Sequence, residues 1–539
     1  MTAPTPCTLR RWQKDAFDLL AAHDRRDFLT VATPGAGKTT FATAAARRWI
    51  AAGTASGQRR QIVVVAPTRH LTRQWAASAQ RLGLTLADDV DLRSPIPADV
   101  HGVVTTYQQL ATDPTAAAQT AAGTLAVLDE VHHAGGELTW GSALRTVFAQ
   151  AHARLALSGT PFRSDSNRIP FIAYDLDEAA PDFTYSYRDA LTDGVVRPVR
   201  FTCSGGHMEW VDQDGSAASA SFDDQLDPLA ASQRLRTALD PAGAWLPAVL
   251  DQAHQRLRSQ QQTSPDVGGL VLATDQDHAR RIAQLLAART GGEVTLAVSD
   301  DRDAAAKLAR YAAGHGDWLV SVRLVSEGVD IPRLATLVWA TTTTTELFFR
   351  QAVGRVVRAR AGETLTAEVL LPDDLRLRGC ANRMGVEVRH ALLRPGNDGH
   401  LASGDTGALP DPTPPDGQMP SQFVAVAAAH DGTVHETAPL RCSTTASGAA
   451  AFEVDLPPLL PLPAAQHPEL PDGLTHSAKA AWLRKEAAST VARIVAATGR
   501  DHRSVNVELN QHVGLARVAD ATLAQLHQRL RVARSLLNT

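Results

Sequence analysis

Short apolar segments alternate with helical segments rich in Ala, Arg and Leu from about residue 9 to residue 200, and the alternation resumes after a break. A repeated strand–helix pattern of this kind folds into a parallel sheet with helices on both faces. Two such runs in a chain of 539 residues predict two successive α/β domains. The predicted strands are residues 28–32, 61–66, 102–105, 125–128 and 155–157 in the first run and 269–273, 293–298, 318–322, 336–340 and 367–371 in the second.

The remaining segments divide the chain further. Residues 401–420 and 455–473 are rich in Pro, which is typical of linkers. Residues 474–539 have a helical periodicity that is interrupted at Gly499 and Gly514. We therefore predict a first α/β domain over 1–195, a connecting segment over 196–250, a second α/β domain over 251–375, a helix with linkers over 376–473 and a small helical module over 474–539.

Charge and apolar content limit the classes of partner. The formal net charge is -4, so no overall basic field attracts a polyanion, and nucleic acid would have to bind in a local groove. No apolar run approaches the roughly 18 residues of a membrane span, and the first eleven residues lack the apolar core of a signal peptide. We expect a cytoplasmic protein with no membrane partner. The four Cys residues are far apart without a Cys-x-x-Cys pair, which argues against a zinc ribbon or a disulfide framework.

A Gly-rich segment, residues 33–39, follows a predicted strand and opens a predicted helix. In that setting backbone N–H groups and the helix N-terminus can surround phosphates. Lys38 would reach the β- and γ-phosphates of a nucleotide, and Thr39 would hold Mg²⁺. Ala32 stands where the phosphate-loop pattern has Gly, so a simple Gly-rich helix cap is the alternative. The predicted nucleotide-binding residues of this loop are Pro34, Gly35, Ala36, Gly37, Lys38 and Thr39.

Two carboxylates follow the predicted strand 125–128, at the edge of the sheet where the phosphate loop also lies. Asp129 would hold Mg²⁺, and Glu130 would orient and deprotonate an attacking water. A solvated strand end is the alternative for an isolated Asp-Glu pair. His132 and His133 come next, and adjacent side chains at a strand end point apart, which favours a coupling or structural role over zinc binding.

Together these motifs resemble those of superfamily 2 helicases and translocases, nearest to the branch that includes restriction-enzyme motor subunits and branched-DNA helicases. The resemblance covers roughly residues 9–375 and implies two tandem RecA-like domains that use ATP and Mg²⁺. Residues 9–13 are similar to the adenine-recognition element of that branch, in which the Gln13 amide would pair with the base.

Three further segments of the first domain resemble family motifs. Residues 66–69 resemble motif Ia and residues 105–108 resemble motif Ib, both of which would contact the sugar–phosphate backbone of a bound strand. Residues 158–161 resemble motif III, which relays the nucleotide state to the second domain. A strand-to-helix cap is the alternative for motifs Ia and Ib. The implied strand-contacting residues are Pro67, Thr68, Arg69, Thr105 and Thr106, and the implied coupling residues are Ser158 and Thr160.

In the second domain, residues 326–332 resemble motif V and residues 351–358 resemble motif VI. Arg355 and Arg358 are three residues apart, so a helix would place both guanidinium groups on one face, within reach of the γ-phosphate. Such arginine fingers accelerate related phosphoryl transfers by about 10³–10⁵. Gly328, Asp330 and Gln351 are also implied to contact the nucleotide.

These motifs predict an ATPase that steps along a nucleic-acid strand, because hydrolysis would open a cleft that ATP holds closed. The branch resemblance favours DNA over RNA. A second hypothesis is an ATP-controlled binding or switch module that recruits a nuclease, a methylase or a replication protein. For residues 474–539, a nucleic-acid module, a docking element for a protein partner and a plain packing domain all stay open.

Overall fold

The computed structural model describes residues 5–88, 90, 92–135, 138–159, 168–175, 178–212, 214–301, 303–322, 331–360, 363–389, 423–439, 451–457, 459, 462, 474–518 and 521–538. Within these ranges, no helix has both the length and the apolar character needed to cross a membrane.

The first domain contains a parallel sheet of seven strands between two layers of helices. Its elements and the terminal strand before them are β1 (Thr5–Arg10), α1 (Arg11–Ala22), β2 (Asp27–Ala32), α2 (Lys38–Ala55), β3 (Ile62–Ala66), α3 (Arg69–Arg81), β4 (Leu86–Ala87), β5 (Gly102–Thr106), α4 (Tyr107–Leu110), α5 (Pro114–Ala121), β6 (Leu125–Leu128), a 3-10 helix (Val131–Gly135), α6 (Leu138–Phe148), β7 (Ala153–Ser158), β8 (Tyr174–Asp175), β9 (Glu178–Ala179), β10 (Phe183–Tyr185) and α7 (Tyr187–Thr192). The strand order is β10-β2-β7-β6-β3-β5-β4. The central strand β3, Ile-Val-Val-Val-Ala, is buried along its whole length, as expected for β-branched residues covered on both faces.

The second domain contains another sheet of seven strands. The elements of this region are β11 (Val199–Ser204), β12 (His207–Val211), β13 (Ala217–Ser221), α8 (Pro228–Ala238), α9 (Trp245–Gln261), β14 (Gly268–Ala273), α10 (Gln276–Thr290), β15 (Val294–Ala297), α11 (Ala304–Ala312), β16 (Trp318–Ser321), β17 (Leu334–Ala340), α12 (Glu346–Val356), β18 (Ala367–Pro372), α13 (Leu375–Arg389), β19 (Val424–Ala429) and β20 (Val434–Glu436). The strand order is β15-β16-β14-β17-β18-β11-β20, and only β20 runs antiparallel to its neighbour. The two predicted α/β domains are confirmed.

The structure divides the chain differently from the predicted boundaries. The segment predicted to connect the domains supplies β11, which pairs with β18 inside the second sheet. It also supplies β12 and β13, which form a small antiparallel sheet with β19. The region predicted as helix and linkers therefore contains two strands that complete the second domain. Local periodicity could not reveal this, because all of these strands are short and the pairings that join β11, β19 and β20 to the second domain are distant in sequence.

A last strand, β21 (Ala451–Leu456), pairs antiparallel with β1, in the register from Thr5 with Leu456 to Arg10 with Ala451. The side chains of Leu9 and Leu456 are fully buried in the core of the first domain. A segment from the last fifth of the chain is thus part of the first domain.

Three helices close the chain: α14 (His476–Thr498), α15 (His502–His512) and α16 (Leu523–Asn538). Leu483 on α14 and Leu526 and Leu530 on α16 pack together in their shared core. The predicted small helical module is confirmed. It meets the first domain at the start of α14, where His476 Nε2 lies 3.7 Å from Asp99 Oδ2.

Candidate active site

The phosphate loop, residues 33–37, joins the buried strand β2 to helix α2. Gly35 (φ +84°) and Gly37 (φ +97°) both have left-handed backbone conformations, which favour Gly. A Cβ atom on Gly37 would also lie 2.7 Å from Gln13 Nε2, so a side chain does not fit there. The tight turn brings the start of α2, with Lys38 and Thr39, to the cleft between the domains.

Residues of β1 and α1 hold this loop from behind. Arg10 Nη1 and Trp12 Nε1 donate to the Ala36 carbonyl at 2.8 and 3.2 Å. Gln13 Nε2 donates to the Gly37 carbonyl at 2.9 Å, while Gln13 Oε1 accepts from the Arg10 backbone N–H at 2.8 Å. Gln13 is 3% exposed, so its observed role is to position the loop, and its pairing with adenine stays a prediction.

The predicted carboxylates lie opposite the loop, at the end of β6. Asp129 Oδ2 accepts a hydrogen bond of 2.7 Å from Trp75 Nε1 on α3. Glu130 has φ +45°, a strained conformation for a residue with a side chain. Its Oε1 lies 3.0 Å from Lys38 Nζ, and its Oε2 accepts from the Gly159 backbone N–H at 3.0 Å. The contacts with Lys38 of the phosphate-loop segment and with Gly159 of motif III therefore offset this strain.

Neighbouring charges shift the pKa values of the two carboxyl groups in opposite directions. Burial, assisted by the Glu130 charge, raises the pKa of Asp129. Burial acts in the same direction on Glu130, but Lys38 and then His132 outweigh it and lower the pKa of that carboxyl. Glu130 is thus an ionised group that is ready to accept a hydrogen bond from a water.

The second domain completes the cleft with the end of α12 and the residues after it. Arg355 and Arg358 line the same cleft as Lys38, Thr39 and Glu130. The prediction that one helix carries both arginines is wrong, because α12 ends at Val356. Arg358 follows the helix in a short bridge with Val196, and its side chain packs against the phosphate loop, where a Cβ on Gly35 would lie 2.9 Å from Arg358 Cγ.

The domains touch closely beside the phosphate loop. A Cβ atom on Gly354 of α12 would lie 2.4 Å from the Cβ of Pro34, so only Gly permits this approach. Burial, with the neighbouring Arg10 charge, lowers the pKa of Arg358 to about 10. Arg358 thus stays charged at neutral pH in a partly dehydrated site, which strengthens its attraction for an anion.

The His132 side chain contacts residues of both domains. Its Nδ1 lies 3.1 Å from Ser158 Oγ and 3.6 Å from Glu130 Oε2, and its Nε2 lies 3.3 Å from Gln351 Nε2. If Gln351 donates to Nε2, the His132 proton is on Nδ1 and faces Ser158 and Glu130. His132 therefore contacts Glu130, motif III and motif VI together. Among the described residues no three His, Cys, Asp or Glu side chains form a metal cluster.

The cleft between the domains has a volume of about 270 Å³. Its described lining includes four Lys and Arg side chains and two carboxylates. Thus a chain of negative net charge has a basic site here, which suits a polyphosphate. These charged residues are Lys38, Arg81, Arg355, Arg358, Asp129 and Glu130.

The predicted strand-contacting residues fall into two groups. Pro67, Thr68 and Arg69 form the turn after β3, where Thr68 caps α3 and Arg69 is exposed. Thr105 and Thr106 are buried, and both hydroxyl groups hydrogen-bond to the Gln109 side chain. We correct the prediction for this second pair, because their hydroxyl groups serve a helix cap and do not reach the surface.

Two predicted motifs are only partly visible. Thr160 of motif III and Gly328 and Asp330 of motif V lie outside the described residues.

The sequence did not reveal Trp75 and Arg10 as site residues. Trp75 shares an apolar helical stripe with Leu71 and Ala79, so the sequence pattern marks it as core and gives no sign of its hydrogen bond to Asp129.

The family described as type III restriction enzyme, res subunit, matches residues 6–163, which contain the phosphate loop, Asp129, Glu130 and Ser158. The chain belongs to helicase superfamily 2. Its two parallel-sheet domains are therefore RecA-like domains of the helicase-like ATPase type.

Mycobacterial proteins are among the sequences similar to this chain. Uncharacterized protein ML1624 of Mycobacterium leprae is 36% identical over 564 residues, which span 98% of this chain and 94% of that protein. Uncharacterized protein MT2985 of Mycobacterium tuberculosis is 44% identical over 396 residues, 72% of this chain and 65% of that protein. The chain thus spans about two thirds of the MT2985 length. A fragment described as an HsdR subunit of a type I restriction enzyme from Vibrio vulnificus aligns with a TM-score of 0.48 at 18% identity, covering 69% of this chain and 65% of that one.

Proposed function

We propose that this superfamily 2 protein is an ATP-dependent DNA helicase or translocase that couples ATP hydrolysis to movement along a nucleic-acid strand. One observation carries the proposal: Lys38 and Glu130 of the first domain and Arg355 and Arg358 of the second line one narrow cleft. A triphosphate in this cleft would be bound by both domains, so that its cleavage changes how the domains are held together.

The residues present fit ATP with Mg²⁺. The left-handed conformations of Gly35 and Gly37 form the tight turn of the loop and let Arg358 and Gln13 approach it where a Cβ atom would otherwise lie. Thr39 and Asp129, both in the cleft lining, would hold Mg²⁺, which supplies charge neutralisation for the phosphates. Glu130 would orient and deprotonate the attacking water, while Lys38 would leave Glu130 for the phosphates.

Arg355 and Arg358 would stabilise the charge that develops on the phosphoryl group. The contacts of His132 with Ser158 and Gln351 would then transmit loss of the γ-phosphate to α12. Each cycle would move the exposed turn at residues 67–69 relative to the second domain. DNA is the favoured track, since the matched family is one of restriction enzymes, which act on DNA.

The test is steady-state ATP turnover with single-stranded DNA, duplex DNA, forked DNA and RNA. We expect single-stranded or forked DNA to raise turnover at least about tenfold. We expect Lys38→Ala and Glu130→Gln each to reduce stimulated turnover by at least about 10². Lys14→Ala and Glu209→Gln are matched controls, since both side chains lie on other elements away from the cleft, and they should leave turnover unchanged.

Full activity in Lys38→Ala or Glu130→Gln would reject the proposed site. ATP turnover that none of these nucleic acids stimulates would contradict the proposal of a motor. If ATP then still controlled assembly with a protein partner, the alternative of an ATP-controlled switch module would replace it.

A further inference from the structure

The C-terminal module has the opposite charge to the rest of the chain. Residues 474–539 contain ten Lys and Arg but four Asp and Glu, a formal charge of +6 in a protein whose total is -4. The residues before 474 therefore sum to -10. A concentration of positive charge in one small unit creates a local field that attracts a polyanion.

The first two helices of the module form a helix-turn-helix. Helix α14 ends at Thr498, Gly499 turns the chain with φ +67°, and the Asp501 side chain caps α15 by accepting from the backbone N–H groups of Arg503 and Ser504 at 3.0 and 3.1 Å. A three-residue turn containing Gly is typical of this motif, whose second helix enters the major groove in DNA-binding proteins.

Helix α15 has one face in the core and one in solvent. Val505 and Leu509 are fully buried, whereas Arg503, Val507 and Gln511 lie four residues apart on the opposite face and are exposed. Val507, an aliphatic residue, is 48% exposed at the centre of this face. Arg, an aliphatic side chain and Gln are groups that read guanine, the thymine methyl and adenine at base edges.

The inner side of α15 is fixed rigidly against α16. Arg529 is buried and donates to Asn510 Oδ1 at 2.9 Å and to Asn506 Oδ1. The acceptors are amides rather than carboxylates, so these contacts hold α15 in place without cancelling the positive charge. A rigid helix that presents its contact groups in a fixed geometry is what groove recognition requires.

We propose that residues 474–538 are a helix-turn-helix module that binds duplex DNA, with the exposed face of α15 in the major groove. The contact between His476 and Asp99 places the start of the module at the first domain. The duplex would thus be held at the first domain, by a surface that is separate from the ATPase cleft. The proposal does not require movement along a strand.

The test uses the full chain with Lys38→Ala, without ATP, and a fluorescein-labelled blunt 30-base-pair DNA duplex of mixed sequence, followed by fluorescence anisotropy. We compare Arg503→Ala/Gln511→Ala on α15 with Arg531→Ala/Gln528→Ala on α16. The second pair removes the same residue types from exposed positions of the same module. We expect the first pair to weaken binding at least about tenfold and the second pair less than about threefold.

A third variant, Val507→Glu, places a negative charge at the centre of the face and should weaken binding further. Thermal unfolding and basal ATP turnover, measured without Lys38→Ala, should match those of the unaltered protein in all three. Binding within twofold of the unaltered protein for Arg503→Ala/Gln511→Ala would overturn the proposal and leave a protein-docking role for the module. Equal losses in both pairs would overturn it as well, because they would indicate diffuse charge attraction. Stimulation of ATP turnover by single strands tests the motor separately.

Discussion

At the scale of single residues, the site depends on how a buried carboxylate is kept in place. Asp129 is 7% exposed, and the hydrogen bond from Trp75 Nε1 fixes one of its oxygens. A group in this position costs free energy unless it is hydrogen-bonded, and its orientation determines how well it can bind a cation. We therefore regard Trp75 as a positioning residue of the site.

We expect Trp75→Phe to raise the Mg²⁺ concentration needed for half-maximal ATP turnover by about 10–100-fold, because the N–H donor is lost while a smaller aromatic ring keeps part of the packing. Titration of turnover with Mg²⁺ at saturating ATP measures this. Trp49→Phe, on α2 and outside the cleft lining, is the control and should leave the titration unchanged. An unaltered Mg²⁺ requirement in Trp75→Phe would show that the bond is dispensable.

His101 makes the stability of the protein dependent on pH. Burial, and then Arg47 and Arg59, lower the pKa of His101 to about 4, below the ordinary value near 6.5. The unfolded chain takes up the proton first, so stability falls as pH decreases from about 6.5 to about 4. Between pH 7 and pH 5 this group alone lowers the free energy of unfolding by about 2 kcal/mol.

His101→Asn should reduce that loss, because Asn does not titrate and its amide oxygen can replace His101 Nδ1 as acceptor for the Thr85 N–H, now at 3.0 Å. Urea unfolding at pH 7 and pH 5 measures the difference. His152→Asn, an exposed position of the same domain, should keep the full pH dependence. The same dependence in both variants would assign it to other groups.

At the scale of elements, the approach of α12 to the phosphate loop decides whether the cleft can close. The contact between Gly354 and Pro34 is possible because residue 354 has no Cβ. The same helix carries Gln351 and Arg355, so a displacement at Gly354 moves both groups away from the first domain. Closure thus requires Gly in the last turn of a helix, at some cost in helix propensity.

We expect Gly354→Ala to lower ATP turnover by at least about tenfold with little change in thermal stability, since a displacement of about 1 Å at a catalytic group has effects of this size or larger. Gly379→Ala is the control. It lies inside α13, where a Cβ would come no closer than 3.4 Å to Arg383 Nη1. Turnover in Gly354→Ala equal to that in Gly379→Ala would show that the domains need not approach so closely.

Elements whose signal is local could be predicted, and elements whose partner is distant could not. The strand before the phosphate loop and the strand before Asp129 are buried, continuous and correctly located by pattern alone. Strand β11 looks like part of a connection because its place in the second sheet depends on β18, more than 160 residues later. Trp75 and Arg10 reach the site only through tertiary contacts, which no spacing rule encodes.

At the scale of the whole molecule, the pairing of β1 with β21 ties the last third of the sequence to the ATP site. Arg10, at the end of β1, donates to the phosphate loop, and its strand is completed by Ala451–Leu456. A change in β21 should therefore affect nucleotide binding although no residue of β21 lines the cleft.

We expect Leu456→Ala to destabilise the protein by about 2–5 kcal/mol and to raise the KM for ATP, because Leu456 is fully buried beside β1. Phe452→Ala is the control on the same strand, where the ring is 40% exposed, and its effects should be smaller. Denaturant unfolding and ATP kinetics provide the two measurements. A destabilised Leu456→Ala with an unchanged KM would separate this strand from the site.

The distance between these two strands also sets the order of events on the ribosome. β1 is synthesised well before its partner, which begins 441 residues after Arg10. At translation rates of about 5–20 residues per second, β1 waits roughly 20–90 s with an unpaired edge. During that interval the edge is open to pairing with another chain, so a chaperone that shields β1 would raise the yield of this protein more than that of a protein whose strands all pair locally.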